Sequence, residues 1–493
     1  MTDRNSGLHD GLRFVRLHFI LMAALSALLL IPCFSHRYIE AGDLASHTYN
    51  AWLAQLMQQG KAPGIYTVWQ RTNVLFDLAL LYSVKAFGFF IGPKVAVAIC
   101  VLVFFWGVFS LVAAASERPP WMLTPLLAML TYGYTFNMGF FNYYLSIGLA
   151  CFALALFWKA QKWDWLAGGL FLCGAVLAHP IGSLWCAATL VYVLIRRRTP
   201  GFWKIAVPAA AIGIFIAVHW YLAHVANVEV DWLDRPFFLF NGMDQLVLYT
   251  ARSRWIAGAC LTIVGTWSAY ECLKWRQYLP DWKRLSLFVE LYVLSLVITA
   301  LLPQDILPDP EASWVGLLVS RLTVITAIFG LCVLSSLTPR RLAGAALGVC
   351  AIPFFIFLYQ DTAAISRLEL HAEKLTEKLP FGTLVIPTLV APNSRIPFIG
   401  HVVDRACIGH CFTYSNYELS SRQFRLRARP GSLLATSSAR DSEKMEAGDY
   451  VVRETDPPLV NIYQCNPDDF TVLCVRPLSV GDTSGPAAEG GGR

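Results

Sequence analysis

Residues 74–91 read VLFDLALLYSVKAFGFFI. Whether this stretch crosses a membrane decides the fold, because every later segment changes side with it. At 1.5 Å per residue it reaches about 27 Å, just short of the roughly 30 Å of hydrocarbon in a bilayer. It also carries Asp77 and Lys85, each costing about 2.5–3.5 kcal/mol at the centre of a span. The stretch therefore reads as interfacial or re-entrant.

That a membrane is in question at all follows from composition. Of 493 residues, 56% are hydrophobic and 15% charged, with a mean hydropathy of +0.51, which is too apolar for an ordinary soluble domain. The net charge of +6 would raise the question of nucleic acid in a soluble chain. Here the basic residues sit in short clusters between apolar runs, the pattern membrane topology produces. Membrane lipid is an expected partner and nucleic acid is not.

Apolar stretches of spanning character occupy residues 14–34, 94–115, 121–137, 140–158, 164–178, 180–195, 204–224, 254–273, 285–303, 314–336 and 341–359. The first follows Arg4, Arg13 and Arg16 but lacks a small-residue cleavage site, and Pro32 before Cys33 makes a poor lipobox, so it reads as an uncleaved span. Cationic loops stay in the cytoplasm. With the N-terminus inside and residues 74–91 not crossing, Lys159, Lys162, the Arg196–Arg198 cluster, KWRQYLPDWKR (274–284), Arg340 and Arg341 all fall inside. The expected fold is a polytopic α-helical membrane protein of about eleven spans plus one interfacial or re-entrant segment, with a small C-terminal α/β extracytoplasmic domain. Its expected divisions are a transmembrane domain over 1–360 with a first outer loop at 35–93, the outer domain at 361–480, and a disordered tail at 481–493.

The outer domain is read from local pattern. Ile365, Leu368, Ala372, Leu375 and Leu379 recur on one helical face, and GTLVIPTLV, DYVVRE, LVNIYQC and FTVLCVRPL read as strands. Four of the thirteen cysteines, Cys407, Cys411, Cys465 and Cys474, fall there. An even number suits disulfides in an oxidising compartment. A metal site of His401, Cys407, His410 and Cys411 is the alternative.

The outer face also collects the residues able to do chemistry. Beyond the first span, YIEAGDLASHTYN (38–50) places Glu40, Asp43 and His47 together. Asp43 and His47, four apart, share one side of a helix starting near Leu44, whose apolar and polar faces predict that it lies on the membrane surface. Asp43 reads either as that helix's N-cap or as a reactive carboxylate. Arg321 lies about 10 Å below the outer boundary, where an unpaired guanidinium is costly. It suits a phosphate, unless Asp305, Asp309 or Glu311 pairs with it. His179, at an outer turn, is a second phosphate candidate. TYGYTFNMGFFNYYL (131–145), with seven aromatics in fifteen residues, reads as an interfacial belt or as a stacking surface for sugar or isoprenoid, with Asn137 and Asn142 as sugar hydrogen-bonders.

An uncleaved first span, a long outer loop with an acidic pair soon after it, an amphipathic helix, a short apolar segment, many short spans and a C-terminal outer domain resemble the GT-C superfamily of membrane glycosyltransferases. The likeness covers residues 14–360 as architecture, and GFFNYYLSIGLACFALALFWK with AHPIGSLWCAATLVYVLIRRR is similar to the paired-span core of bacterial members. The resemblance implies transfer of a hexose or pentose from a polyprenyl-phosphate or polyprenyl-diphosphate carrier. The acceptor would be a lipid, glycan or protein at the outer face of a bacterial inner membrane. It makes Asp43 the essential carboxylate of the EAGD motif beside Glu40, lets His47 orient Asp43 or touch phosphate, gives Arg321 and His179 the donor phosphate, and leaves open a divalent cation, Mg or Mn. A transporter or flippase of lipid-linked saccharide, or a silent assembly protein, remains the alternative. The scarcity of mid-span charge and the absence of a repeat favour an enzyme.

Overall fold

A computed structural model describes residues 7–159, 162–201, 203–226, 228–232, 240–274, 282–307, 316–391, 394–397, 399–421, 423–466 and 469–485. The chain is mostly helical with small sheets. Among the described residues, six helices are long and apolar enough to cross a membrane: Arg16–Phe34, Leu75–Ser116, Phe141–Trp158, Trp203–His224, Leu318–Ser336 and Arg341–Thr376. Two shorter apolar helices, Trp163–Ala178 and Leu285–Leu301, accompany them. The stretch 121–137, expected as one span, is instead broken into Trp121–Leu123, Thr124–Thr131 and Tyr134–Asn137. Its aromatics form no belt. Tyr132, Tyr134, Phe136, Phe141, Tyr143 and Tyr144 are buried in the core, where ring packing holds the broken segment against its neighbours.

Residues 74–91 resolve into the start of the helix Leu75–Ser116, which is interrupted at Gly88 (φ 74°, ψ 173°). There the chain turns back on itself, so closely that a Cβ on Gly92 would lie 2.6 Å from the Cα of Val84. From Leu75 to Gly88 the helix advances only about 20 Å, against the roughly 30 Å of a bilayer's hydrocarbon. The longer second limb packs along Phe141–Lys159.

Leu44–Gln58 is a helix, as its spacing predicts, but it does not lie on a surface: Leu44 to Ala54 are all buried. Its polar side is covered by the C-terminal region, which offers partners. Asn416 donates to Ser46 Oγ (2.9 Å) and accepts from Asn50 (3.3 Å), while Tyr49 Oη accepts from the N–H of Thr413 (3.0 Å). The strand Ile65–Thr67 of the same loop pairs antiparallel with Leu426–Ala428.

The C-terminal region is built on a sheet in the order Phe412–Thr413, Leu384–Thr388, Leu459–Gln464, Leu473–Leu478, the first three parallel and the last antiparallel. DYVVRE contributes only a bridge between Val451 and Thr483. The expected boundary at residue 360 falls inside one continuous helix, Arg341–Thr376. Nothing in that stretch stops it, and Ile365, Leu368 and Ala372 bury the predicted face. The expected disordered tail starts too early as well. Ser484 is buried, its N–H donating to Tyr450 O (2.8 Å) and its carbonyl accepting from Thr388 Oγ1 (2.7 Å); the remainder, 486–493, lies outside the described residues.

Candidate functional site

Two glycine-bearing segments clasp one another and fix Asp43. The N–H of Gly42 donates to Asn137 O (2.9 Å) and that of Asp43 to Met138 O (3.2 Å). A Cβ on Gly42 would stand 2.3 Å from Met138 O. One on Gly139, whose φ is +82°, would stand 2.4 Å from the nitrogen of Asp43. Only glycine fits either place. Asn137 holds the clasp from within: its amide donates to the carbonyls of Tyr132 (2.7 Å) and Gly133 (3.0 Å) and accepts from Tyr249 Oη (2.8 Å). Fully buried and occupied in this way, Asn137 is not a sugar contact, and that expectation is corrected.

Asp43 occupies the N-cap position of Leu44–Gln58, yet its side chain makes no cap hydrogen bond. Its carboxylate faces a cavity of about 430 Å³ walled by Arg321, His401, Tyr417, Glu446 and Phe140. His401 Nε2 lies 3.9 Å away. A smaller adjoining lobe of about 70 Å³ shares Asp43, Phe140 and Arg321 and adds His47, Asn142 and His179. Five of the residues singled out in the sequence thus meet at one place. Asn73 and Leu317, non-glycine residues with φ of 57°, stand in these walls too. Such backbone costs about 1–2 kcal/mol per residue and tends to gather at functional sites.

Arg321 sits in the first turn of Leu318–Ser336, its carbonyl accepting from Tyr143 Oη (2.8 Å) and its guanidinium 4.1 Å from the ring centre of Phe140. Its Nε is buried without a partner, and among the described residues no carboxylate comes within 4 Å of it. Asp305, one expected partner, accepts from the N–H of Leu317 instead (2.7 Å); Asp309 and Glu311 lie outside the described residues.

His47 does not orient Asp43. Its Nδ1 lies 3.1 Å from Asp77 Oδ1 and 3.4 Å from Glu418 Oε1. Burial opposes its charge, but Glu418 and Asp77 win and push the imidazole up to about 10, so it is a cation at neutral pH. Asn142 supports this pair: its carbonyl accepts from the N–H of Phe76 (2.8 Å) and its amide donates to Asp77 Oδ2 (3.3 Å). His179 caps Pro180–Arg198, with Nδ1 accepting from the N–H of Ile181 (3.2 Å). That fixes a neutral ring with its proton on Nε2.

Glu40, expected beside Asp43, faces away. It is buried and reaches Arg405 (3.3 Å), which also pairs with Glu369. That ion pair, and not the cavity at Asp43, holds its carboxylate. The four cysteines expected in disulfides pair as Cys407–Cys411 and Cys465–Cys474, which removes both thiols from the alternative metal set. Among the described residues no group of three or more His, Cys, Asp or Glu is disposed to hold a metal. Among the described residues the donor set does not fit a tightly held Mg or Mn.

The sequence reading passed over four groups. Asp77 counted there only as a cost of insertion, and His401 only as a metal ligand. The third, Glu418, and the last, Glu446, belong to short polar helices that look like solvated surface. His401 Nδ1 lies 3.2 Å from Asp404 Oδ2, which also accepts from Asn416 (3.1 Å). Against burial, Asp404, Glu446 and Asp43 raise this imidazole to about 10.

No family model, no curated protein and no solved structure matches the chain. Function therefore has to be argued from the cavity.

Proposed function

We propose that the chain is an integral membrane glycosyltransferase of the GT-C kind, moving a sugar from a polyprenyl-phosphate or polyprenyl-diphosphate carrier to an acceptor hydroxyl at the outer face of a bacterial inner membrane. One observation carries this reading: Asp43 and Arg321 wall the same cavity, where Asp43 faces the His401 imidazolium at 3.9 Å and Arg321 has no described carboxylate within 4 Å.

Chemistry assigns the two lobes. The small one offers the Arg321 guanidinium, the His47 imidazolium and the His179 N–H, donors suited to a phosphate. The large one offers carboxylates. As the acceptor oxygen bonds to the anomeric carbon, the bond from that carbon to the phosphate oxygen breaks and its electron pair stays on the phosphate, where the cationic lobe stabilises the growing charge. The acceptor's proton passes to a carboxylate of the large lobe. Asp43 and Arg321, shared by both lobes, are the charged groups that meet both substrates.

The short first limb of Leu75–Ser116 supports a re-entrant segment. The two disulfides support an extracytoplasmic C-terminal α/β domain, because such bonds persist in oxidising compartments. The test is transfer from radiolabelled polyprenyl-phosphate sugars by the protein in proteoliposomes. Asp43→Asn is expected to lower the rate about 10²-fold through lost alignment of the acceptor, and Arg321→Met to lower it while weakening donor binding. No transfer by the wild type, or undiminished transfer by both variants, refutes the reading.

A further inference from the structure

Of the carboxylates around the cavity, most are already engaged. Asp77 and Glu418 hold His47, and Asp404 holds His401. Glu446 is different. It lines the large lobe beside Glu443, which is solvent-exposed, whereas Glu446 is only partly exposed and makes no hydrogen bond and no ion pair within 4 Å among the described residues. It is also held rigidly. Its helix, Ala439–Ala447, starts at Ser438, whose side chain accepts from the N–H of Asp441, and ends at Gly448 in the left-handed conformation. Ser442 and Met445 are buried beneath it, Ser442 Oγ donating to Ser415 O (2.6 Å). A free carboxylate on a fixed helix, opening into the cavity that Asp43 shares, is placed for chemistry rather than for stability.

We propose that Glu446 is the second catalytic carboxylate, the base that receives the acceptor's proton, so that the C-terminal region supplies half of the active site. The proposal rests on the glycosyl-transfer reading above. Asp43, beside the His401 imidazolium and near Arg321, accepts a hydrogen bond from the acceptor hydroxyl and aligns it. When the oxygen attacks the anomeric carbon, its O–H bond breaks, the proton goes to a carboxylate oxygen of Glu446, and the electron pair of the sugar–phosphate bond leaves with the phosphate. Glu446 then releases the proton to water. The charged and titratable groups around it are His401, Asp404, Asp43, Glu443 and Tyr417. Burial lifts Glu446 to about 7, with Asp404, Asp43 and Glu443 adding to the rise and His401 opposing it. A base is most effective with its pKa near the working pH.

The experiment is the pH dependence of kcat for transfer of radiolabelled sugar from its polyprenyl-phosphate donor in proteoliposomes, for the wild type, Glu446→Gln and Glu446→Asp. Wild-type kcat is expected to rise with pH through a limb near 7. Glu446→Gln should lower kcat at least about 10²-fold and abolish the limb with donor KM unchanged, and Glu446→Asp should restore the limb in part. Wild-type transfer without such a limb, or a Glu446→Gln variant that keeps both limb and rate, overturns the role of Glu446 and leaves the transferase reading standing. A wild type that transfers nothing overturns both.

Discussion

The clasp around Asp43 makes a quantitative prediction. Replacing Gly139 with Ala puts a methyl 2.4 Å from the nitrogen of Asp43, whereas ordinary contact begins near 3.4 Å. Relief requires a shift of about 1 Å, and misplacement of that size in a catalytic group can cost about 10²-fold in rate. The stability cost has two parts. A non-glycine residue at φ +82° costs about 1–2 kcal/mol. Breaking the bonds Gly42 N–H to Asn137 O and Asp43 N–H to Met138 O costs about 0.5–1.5 kcal/mol each. Together these predict a loss of about 2–5 kcal/mol.

Gly60 is the control, because its φ is +70° and nothing lies within 4 Å of the Cβ it would gain. Gly60→Ala carries the backbone cost alone, about 1–2 kcal/mol, and should transfer sugar at the wild-type rate. Thermal melting in detergent and initial transfer rates in proteoliposomes, measured for both variants, separate the two effects. If Gly139→Ala melts and transfers like Gly60→Ala, the clasp does not position Asp43.

Three further outcomes are expected. His47 is raised from 6.5 to about 10 on folding, so its stabilisation is complete below about pH 6.5 and is lost as pH climbs through about 10; the melting temperature should fall over that interval, and His47→Gln should flatten the fall, an unchanged slope arguing against the ion pairs. Arg405→Met leaves Glu40 and Glu369 buried without their cation and should destabilise by about 3–5 kcal/mol, while Glu40→Gln keeps transfer near the wild-type rate; a Glu40→Gln variant that folds normally but has lost turnover would return Glu40 to the catalytic set. Arg453, exposed on the C-terminal region, should as Arg453→Cys react with a membrane-impermeant maleimide in spheroplasts above the wild-type background, and labelling only after permeabilisation would reverse the topology.

Local pattern carried a good part of this. The spacing of Ile365, Leu368 and Ala372 announced a buried helical face, the depth of Arg321 announced an unusual cation, and Asp43 stood out as a carboxylate just beyond a span. What local pattern could not carry was pairing at long range. His47, Asn50 and Ser46 on one side of Leu44–Gln58 imply a wet face, yet the same residues equally suit a second region that brings Asn416 and Glu418 to meet them some 370 positions later. A polar stripe states that partners are required and leaves their source open. The same holds for Glu40, which looks reactive beside Asp43 until Arg405, 365 positions away, claims it. Catalytic carboxylates in such a chain are found by subtraction. Once Asp77, Glu418, Asp404, Glu40 and Glu369 are assigned to the cations they hold, Asp43 and Glu446 are the buried or half-buried acids left facing the cavity, and no periodicity in either segment could have shown that they face it together.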